Sequence, residues 1–468
     1  MRVFGAVDIG ASGGRVVAGL IDGDRVELDV VHRFRNGATE RDGHLRWNLT
    51  GLYEQVLTGL RALARAYPQV ESIGIDTWAV DYGLLDTDGR LLAEPVSYRD
   101  GRTTEAVERV HRRVPHDVLY GINGLQFLPF NTVYQLEAEK HGPLWERAAH
   151  VVLLPDLIAY QLTGQLRTEA TNASTTGLLD LRTGTWSTHL LDRLDITPTL
   201  LPPVQQPGEV RGALRPSIVR DTGLPATTTV TTVGSHDTAS AVVALPAASH
   251  RFAYVSSGTW SLVGVELSAP VLTEAARQAN FTNEGGVDGR TRFLRNVGGL
   301  WLLQECLRTW GARLDPLLAE AETLPAGGPV VDVDDVAFIP PGDMPDRITA
   351  AVTAMGQDPP RTRAATVRCV LDSLATAYAR TATQAGELAE VDVDVIHIVG
   401  GGSRNDLLCQ LTADLSGRQV TAGPVEATAL GNVLIQARAH GAVPSSLEEI
   451  RARLASTQPI RRFTPSPA

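Results

Sequence analysis

The first thirty residues read as sheet. Apolar-dense runs at Val3 to Ile9, Arg15 to Leu20 and Arg25 to Val31 are broken by a Gly/Ser cluster, Gly10 to Gly14, and by Asp22-Gly23. Short runs punctuated in this way predict strands joined by tight hairpin turns. The period then changes. Leu52, Val56, Leu60, Leu63 and Ala64 recur three and four apart, which places them on one face of a helix over Gly51 to Tyr67. Ser72 to Asp76 returns to buried strand and runs into Thr77-Trp78-Ala79-Val80-Asp81.

The same plan recurs in the second half. Phe252 to Ser256 and Ser261 to Glu266 are strands about the turn Ser257-Gly258-Thr259. A long helix from Arg363 to Leu388 carries the apolar stripe Val367, Val370, Leu371, Leu374 and Tyr378. The strand Val395 to Val399 follows and opens into Gly400-Gly401-Gly402. Each half therefore runs hairpin, helix, strand, loop, which predicts an α/β protein made of two duplicated domains around an interdomain cleft. Proline-rich punctuation from Pro198 to Pro225 precedes the junction, giving domains at 1–245 and 246–441 and a tail at 442–468.

Four segments carry candidate chemistry. In Asp8-Ile9-Gly10-Ala11-Ser12-Gly13-Gly14-Arg15 a glycine turn lets backbone N–H groups converge on a phosphate, with Asp8 placed to hold a hydrated Mg²⁺. An ordinary hairpin turn accounts for the same residues. Gly10-Ala11-Ser12-Gly13-Gly14 also matches the nucleophile elbow of acyl hydrolases, but that elbow needs a helix after the turn and Val16 to Leu20 continues as sheet. Ser257-Gly258-Thr259-Trp260-Ser261 is the matching turn of the second half. In Gly234-Ser235-His236-Asp237-Thr238 the aspartate follows the strand Thr229 to Val233 and starts a run of small residues. A carboxylate there is placed either to cap a helix or to accept the proton of an acceptor hydroxyl. Gly400-Gly401-Gly402-Ser403-Arg404-Asn405 departs from the dinucleotide fingerprint at Asn405 and leaves flat backbone for an adenine ring. Trp78 and Asp81 offer an apolar face and an acceptor suited to a sugar, although a strand-end tryptophan is more often core.

Composition narrows the choice. A net charge of −11 disfavours a nucleic-acid partner, and no basic patch offsets it. Lys140 is the sole lysine, so phosphate binding falls to arginine and main chain. Cys306, Cys369 and Cys409 are widely spaced among apolar residues and read as core rather than as disulfides or zinc ligands. No apolar run is long enough for a membrane span and no secretion signal is evident, so a cytoplasmic location is expected.

Taken in order, these motifs resemble the FGGY carbohydrate kinases, and within them the enzymes acting on L-rhamnulose. The resemblance runs from Ala6 to Gly441. It rests on Ile75 to Asp81, Gln126-Phe127-Leu128-Pro129-Phe130-Asn131-Thr132, Ser235 to Ala241, Ser256 to Ser261, Asn283-Glu284-Gly285-Gly286, Gly299 to Glu305 and Gly423 to Asn432. It implies the actin/hexokinase-like, ribonuclease H-like fold, ATP and Mg²⁺, and transfer of a phosphoryl group to L-rhamnulose to give L-rhamnulose 1-phosphate. Asp237 would be the catalytic base. Ala79, His236, Asp237, Thr238 and Asn296 would line the sugar site. Ala11, Ser12, Gly13, Gly14 and Arg15, with Thr259, Gln304 and Gly402, would bind ATP, and Asp8 would sit near Mg²⁺. Sugar would bind mainly to the first domain and ATP to the second, with closure excluding water. The partners implied are a small sugar and ATP, without nucleic acid or membrane, in a monomer or homodimer. Ala79 stands where related enzymes usually carry glycine, and its methyl group would narrow the pocket. The alternatives are an FGGY kinase for another ketose, deoxyketose or polyol, a serine hydrolase using Ser12, and a non-catalytic sugar sensor.

Overall fold

The computed structural model describes residues 1–467. In chain order the strands β1 (Arg2–Gly10), β2 (Gly13–Asp22) and β3 (Arg25–Arg35) precede helix α1 (Leu49–Ala66) and β4 (Val70–Thr77). After a largely helical stretch come β5 (Val210–Ala213), β6 (Thr229–Thr231) and α2 (Asp237–Val243). The remainder contains β7 (Phe252–Ser257), β8 (Trp260–Leu267), β9 (Thr291–Gly298), α3 (Trp301–Trp310), α4 (Arg363–Ala389), β10 (Val395–Val399), α5 (Asp406–Ser416), β11 (Gln419–Ala422), α6 (Ala427–Ala439) and β12 (Arg461–Phe463). These elements form two compact units that are discontinuous in sequence. The first comprises Met1–Ala244, Leu267–Phe293 and Ala427–Thr457, and the second comprises Leu245–Glu266, Leu294–Glu426 and Gln458–Ala468.

The first unit is built on a sheet of order β5-β6-β4-β1-β2-β3, with β1 antiparallel to β2 and parallel to β4. Side chains alternate across a strand. Accordingly Val3, Val7 and Ile9 pack with Leu49, Leu52, Val56, Leu60 and Leu63 of α1, while Phe4 and Ala6 pack with Ala429, Val433 and Ala437 of α6. Each of these buried Val, Leu, Ile and Phe side chains contributes about 1.5–3 kcal/mol of transfer free energy. The helix α1 begins where Asn48 Oδ1 accepts the Gly51 N–H at 3.0 Å.

The second unit repeats the central plan. Its strands run in the order β9-β8-β7-β10-β11-β12, six of the seven of their sheet, with β7 antiparallel to β8 and parallel to β10. The helix α4 starts at a Thr362 cap on the Ala365 N–H (3.1 Å) and buries Val367, Val370, Leu371, Leu374 and Tyr378. Both hairpins lie within one or two residues of the bounds their hydrophobic patterns predict. Among the described residues no helix is long and apolar enough to cross a membrane.

Candidate active site

In the first unit the strand ends gather carboxylates. Asp8 lies opposite Arg15 on β2 and opposite Asp76 on β4, and by strand parity these face the α6 side. Arg15 donates to Asp8 Oδ2 through Nη2 at 2.7 Å and Nε at 2.9 Å. Asp76 is fully buried. Asn432 Nδ2 of α6 donates to its Oδ2 at 2.6 Å, while Oδ1 has no hydrogen-bond partner among the described residues. Burial, then the neighbouring Asp8, push the Asp76 carboxyl well above its usual range. Gln436 Nε2 holds Asn432 Oδ1 at 2.7 Å and the Gly5 carbonyl at 2.9 Å. The helix carrying this pair crosses α2 with almost no clearance: a Cβ on Gly431 would overlap the Ser240 carbonyl oxygen. Glycine is therefore required there by close approach rather than by backbone angle.

Asp237 is the first residue of α2, and its side chain remains 33% exposed. Its Oδ1 accepts the Thr238 N–H at 2.6 Å and lies 3.4 Å from His236 Nε2. Loss of water around Asp237 pushes its carboxyl up, His236 opposes this, and Asp8 adds to it. The preceding residues are clamped from two sides. Thr77 N–H donates to the Ser235 carbonyl at 2.9 Å, which extends the sheet from the end of β4 to His236. Glu169, fully buried, accepts from Ser235 N at 3.1 Å, Ser235 Oγ at 2.8 Å, Thr171 N at 2.7 Å, Thr171 Oγ1 at 2.6 Å and Asn172 N at 3.0 Å. Burial alone raises the Glu169 carboxyl, and these donors oppose it. His236 is itself flanked by Glu284 Oε2 at 3.2 Å and Arg292 Nη2 at 3.0 Å. Burial pushes the Glu284 carboxyl up, but Arg292 and then His236 bring it below its usual value.

One reading of the sequence needs correction. The pair Trp78 and Asp81 does not present an indole and a free acceptor to a ligand. Asp81 is 1% exposed. Its Oδ2 accepts from Trp47 Nε1 at 2.6 Å, Trp78 Nε1 at 3.0 Å and Tyr98 N at 3.2 Å, and its Oδ1 from Gln135 Nε2 at 3.1 Å. Trp78 is buried with its ring 4.3 Å from that of Trp47. This knot supports an unusual backbone: Val80 has φ +68°, a left-handed conformation that a β-branched side chain rarely adopts. Its carbonyl is held by Thr132 Oγ1 at 2.7 Å, so the Gln126 to Thr132 segment buttresses the turn that carries Ala79.

In the second unit three loops meet. Leu300 N–H donates to the Gly258 carbonyl at 2.9 Å and Trp301 N–H to the Thr259 carbonyl at 3.2 Å, so α3 starts on the β7–β8 turn. A Cβ on Gly402 would overlap the Ser257 hydroxyl, which itself lies 3.0 Å from the Tyr378 hydroxyl. Ser261 Oγ lies 2.6 Å from the same phenol. Asn405 caps α5 through the Leu408 N–H at 3.0 Å. The three cysteines are buried, and burial pushes the Cys306 and Cys409 thiols to about 12 and that of Cys369 to about 11. They are core residues, as their surroundings in sequence suggest.

Of the residues singled out in the sequence, Asp8, Ala11 to Arg15, Ala79, His236, Asp237 and Thr238 belong to the first unit, where they cluster about the ends of β1, β2 and β4 and the start of α2. Asn296, Thr259, Gln304 and Gly402 belong to the second. Ser12 sits between two antiparallel strands with no helix after it, which removes the elbow a serine hydrolase needs. Glu169, Glu284 and Arg292 had no role in the reading of the sequence. The available signal was local: an arginine in a strand beside Phe293 and Leu294, and a glutamate two residues before a Thr-Asn pair.

Two α/β units with one strand plan, an aspartate opening a helix and a glycine hairpin beside it define a protein of the two-domain actin/hexokinase-like class. The structure of a xylulose kinase from Lactobacillus acidophilus matches the chain with a TM-score of 0.81 at 18% identity, covering 100% of this chain and 94% of that one. Models of the FGGY family of carbohydrate kinases match residues 3–244 for the N-terminal domain and 253–440 for the C-terminal domain. The chain belongs to the FGGY family of carbohydrate kinases. It is 39% identical over 465 residues to the rhamnulokinase of Bacillus subtilis (strain 168), covering 99% of this chain and 95% of that protein. It is 42% identical over 446 residues to the rhamnulokinase of Enterococcus faecalis (strain ATCC 700802 / V583), covering 94% and 90%.

Proposed function

We propose that this protein is a cytoplasmic ATP-dependent kinase that converts L-rhamnulose to L-rhamnulose 1-phosphate, with Asp237 as the base. The observation that carries the chemistry is Asp237 itself: a carboxylate at the start of α2, one third exposed, with one oxygen anchored by Thr238 and its peptide neighbours clamped by Glu169. The choice of sugar rests on the near-full-length likeness to rhamnulokinases. Ala79, His236, Thr238 and Asn296 bind the ketose. Ala11, Ser12, Gly13, Gly14 and Arg15 contact the ATP phosphates, and Thr259, Gln304 and Gly402 contact the nucleotide. Sugar binding falls mainly to 1–245, which also carries the phosphate hairpin, and nucleotide binding mainly to 246–441, with Asn296 reaching the sugar from the latter.

Phosphoryl transfer through a loose transition state leaves the protein little covalent work, so positioning and charge stabilisation dominate. Asp237 Oδ2 orients the sugar hydroxyl and takes its proton late. The upward push on its carboxyl moves its basicity toward neutrality. The excess negative charge of Asp8, Asp76 and Asp237 suits a divalent cation, and the orphaned Asp76 Oδ1 belongs to the same acid cluster. Among the described residues no three side chains form a metal cage. That donor set fits Mg²⁺ carried on phosphates and waters, with Asp8 as an outer contact, and the ion would neutralise charge on the phosphate oxygens.

ADP release across ketoses, deoxyketoses and polyols, with and without Mg²⁺, tests the reading. L-Rhamnulose with Mg²⁺ is expected to give the highest kcat/KM. A higher value with another acceptor assigns a different kinase, and sugar binding without ADP release assigns a sensor.

A further inference from the structure

Arg292 is completely buried, and its guanidinium faces one ring nitrogen of His236. Nη2 lies 3.0 Å from Nδ1 with hydrogen-bond geometry, while Nε donates to the Gly285 carbonyl at 2.9 Å. Arginine only donates. Nδ1 must therefore be the acceptor, and a neutral imidazole accepting at Nδ1 carries its proton on Nε2, the nitrogen 3.4 Å from Asp237 Oδ1. Glu284 Oε2 competes for the same Nδ1 from 3.2 Å and would favour the opposite tautomer. That oxygen nevertheless makes no well-directed hydrogen bond among the described residues, and it lies 3.1 Å from Arg292 Nη2 as an ion pair. The carboxylate holds the arginine, and the arginine holds the ring.

We propose that Arg292, braced by Glu284 and the Gly285 carbonyl, is a positioning residue that locks His236 as the Nε2–H tautomer, so that a hydrogen-bond donor stands beside the proton-accepting Asp237. The acceptor sugar then meets a matched pair: His236 Nε2–H donates a hydrogen bond to one sugar oxygen, and Asp237 takes the proton from the hydroxyl that is phosphorylated. With the tautomer reversed, two acceptors would face the sugar and one oxygen would lose its donor. The use of the tautomer rests on the proposed sugar site, whereas the tautomer itself does not.

The full-length protein labelled with ¹⁵N-histidine, His236 being assigned by the signal lost in His236→Gln, reads the tautomer without sugar or ATP. The expected spectrum has Nδ1 in the unprotonated range and Nε2 in the protonated range. A protonated Nδ1, alone or with Nε2, overturns the proposal and leaves the kinase reading intact. Arg292→Met leaves Glu284 buried without its partner and risks misfolding, so the informative variant is Arg292→Met with Glu284→Met, which removes both charges together. In the folded double variant Nδ1 is expected to lose its preference for the unprotonated state, and kcat/KM for the sugar to fall about 10- to 100-fold, with KM for ATP unchanged. Glu284→Gln alone is expected to keep the wild-type tautomer. A double variant that retains the wild-type ¹⁵N pattern, or changes it without loss of kcat/KM, refutes the assignment.

Discussion

The two hairpin turns share a strand plan and differ in what stands behind them. Behind the turn between β1 and β2 are charges: Asp8 with Arg15, Asp76, and the upward-shifted Asp237. Behind the turn between β7 and β8 are neutral groups: the hydroxyls of Ser257, Ser261 and Tyr378, the backbone of Gly402, and the two N–H groups that start α3. A duplicated scaffold has thus been loaded asymmetrically. Carboxylates suit proton acceptance and a hydrated cation, whereas an uncharged cradle of main chain binds an anionic nucleotide without adding repulsion. This contrast supports the proposed division, with the chemical step in the first unit and the Thr259, Gln304 and Gly402 contacts to the nucleotide in the second.

Removing the proposed base breaks the comparison hardest. Asp237→Asn keeps the shape and the Thr238 contact but cannot take a proton. Turnover is expected to fall about 10²- to 10⁴-fold, the usual worth of a positioned acid–base group. Calorimetric titration of sugar and of ATP should give dissociation constants close to the wild type. Near-normal ADP release would remove Asp237 from the role.

Not every carboxylate of the first unit serves chemistry, and Asp81 sharpens that boundary. Burial raises its carboxyl from 3.8 to about 6, against its four hydrogen-bond donors. A raised folded-state value means that the protonated form fits the fold better. Its contribution to stability is therefore whole below pH 3.8 and is lost as pH rises through about 6. The shift of about two units corresponds to about 3 kcal/mol. Asp81→Asn carries no such dependence. The stability of wild type relative to the variant should decline by up to that amount between pH 4 and pH 7 in urea denaturation, and a constant difference would show that Asp81 is ionised at no cost.

In the second unit the cradle is tested by filling it. Gly402→Ala places a methyl group on the Ser257 side chain and forces the turn away from the Gly400–Gly402 loop. Overpacking of this kind costs about 1–3 kcal/mol. The expected kinetic signature is a roughly tenfold rise in KM for ATP with KM for the sugar unchanged. Equal changes in both constants would mean that the two turns do not divide the labour.

The contrast was only partly legible in sequence, and the division follows range. The hairpins, α1 and α4 are written in local periodicity, so Val3 to Ile9 and Leu52 to Ala64 announce them. Gly402 and Asp237 stand out as residues that local chemistry makes conspicuous. Asp76 gains its meaning only from Asn432, 356 residues away. Glu169 clamps Ser235 across 66 residues, and Arg292 reaches His236 across 56. Trp78 and Asp81 misled for the same reason: both looked free because Trp47 and Gln135, which occupy the acceptors of Asp81, lie 34 and 54 residues from it.

The smallest effect concerns the support of the neutral turn. Tyr378 lies on α4 with its hydroxyl between Ser257 and Ser261, and burial pushes the phenol to about 12, so it stays protonated at any working pH. Tyr378→Phe removes one hydroxyl and leaves two serines able to turn toward each other or toward main chain. Loss of such hydrogen bonds costs about 0.5–1.5 kcal/mol each, and partial repair by the serines should hold the total near 1 kcal/mol. Urea denaturation should show that loss with no pH dependence between 5 and 8, because no group involved titrates there, while KM for ATP rises by less than in Gly402→Ala. If the stability difference between wild type and Tyr378→Phe varied with pH as that between wild type and Asp81→Asn does, charge would be acting behind the second turn as well, and the asymmetry between the two hairpins would be lost.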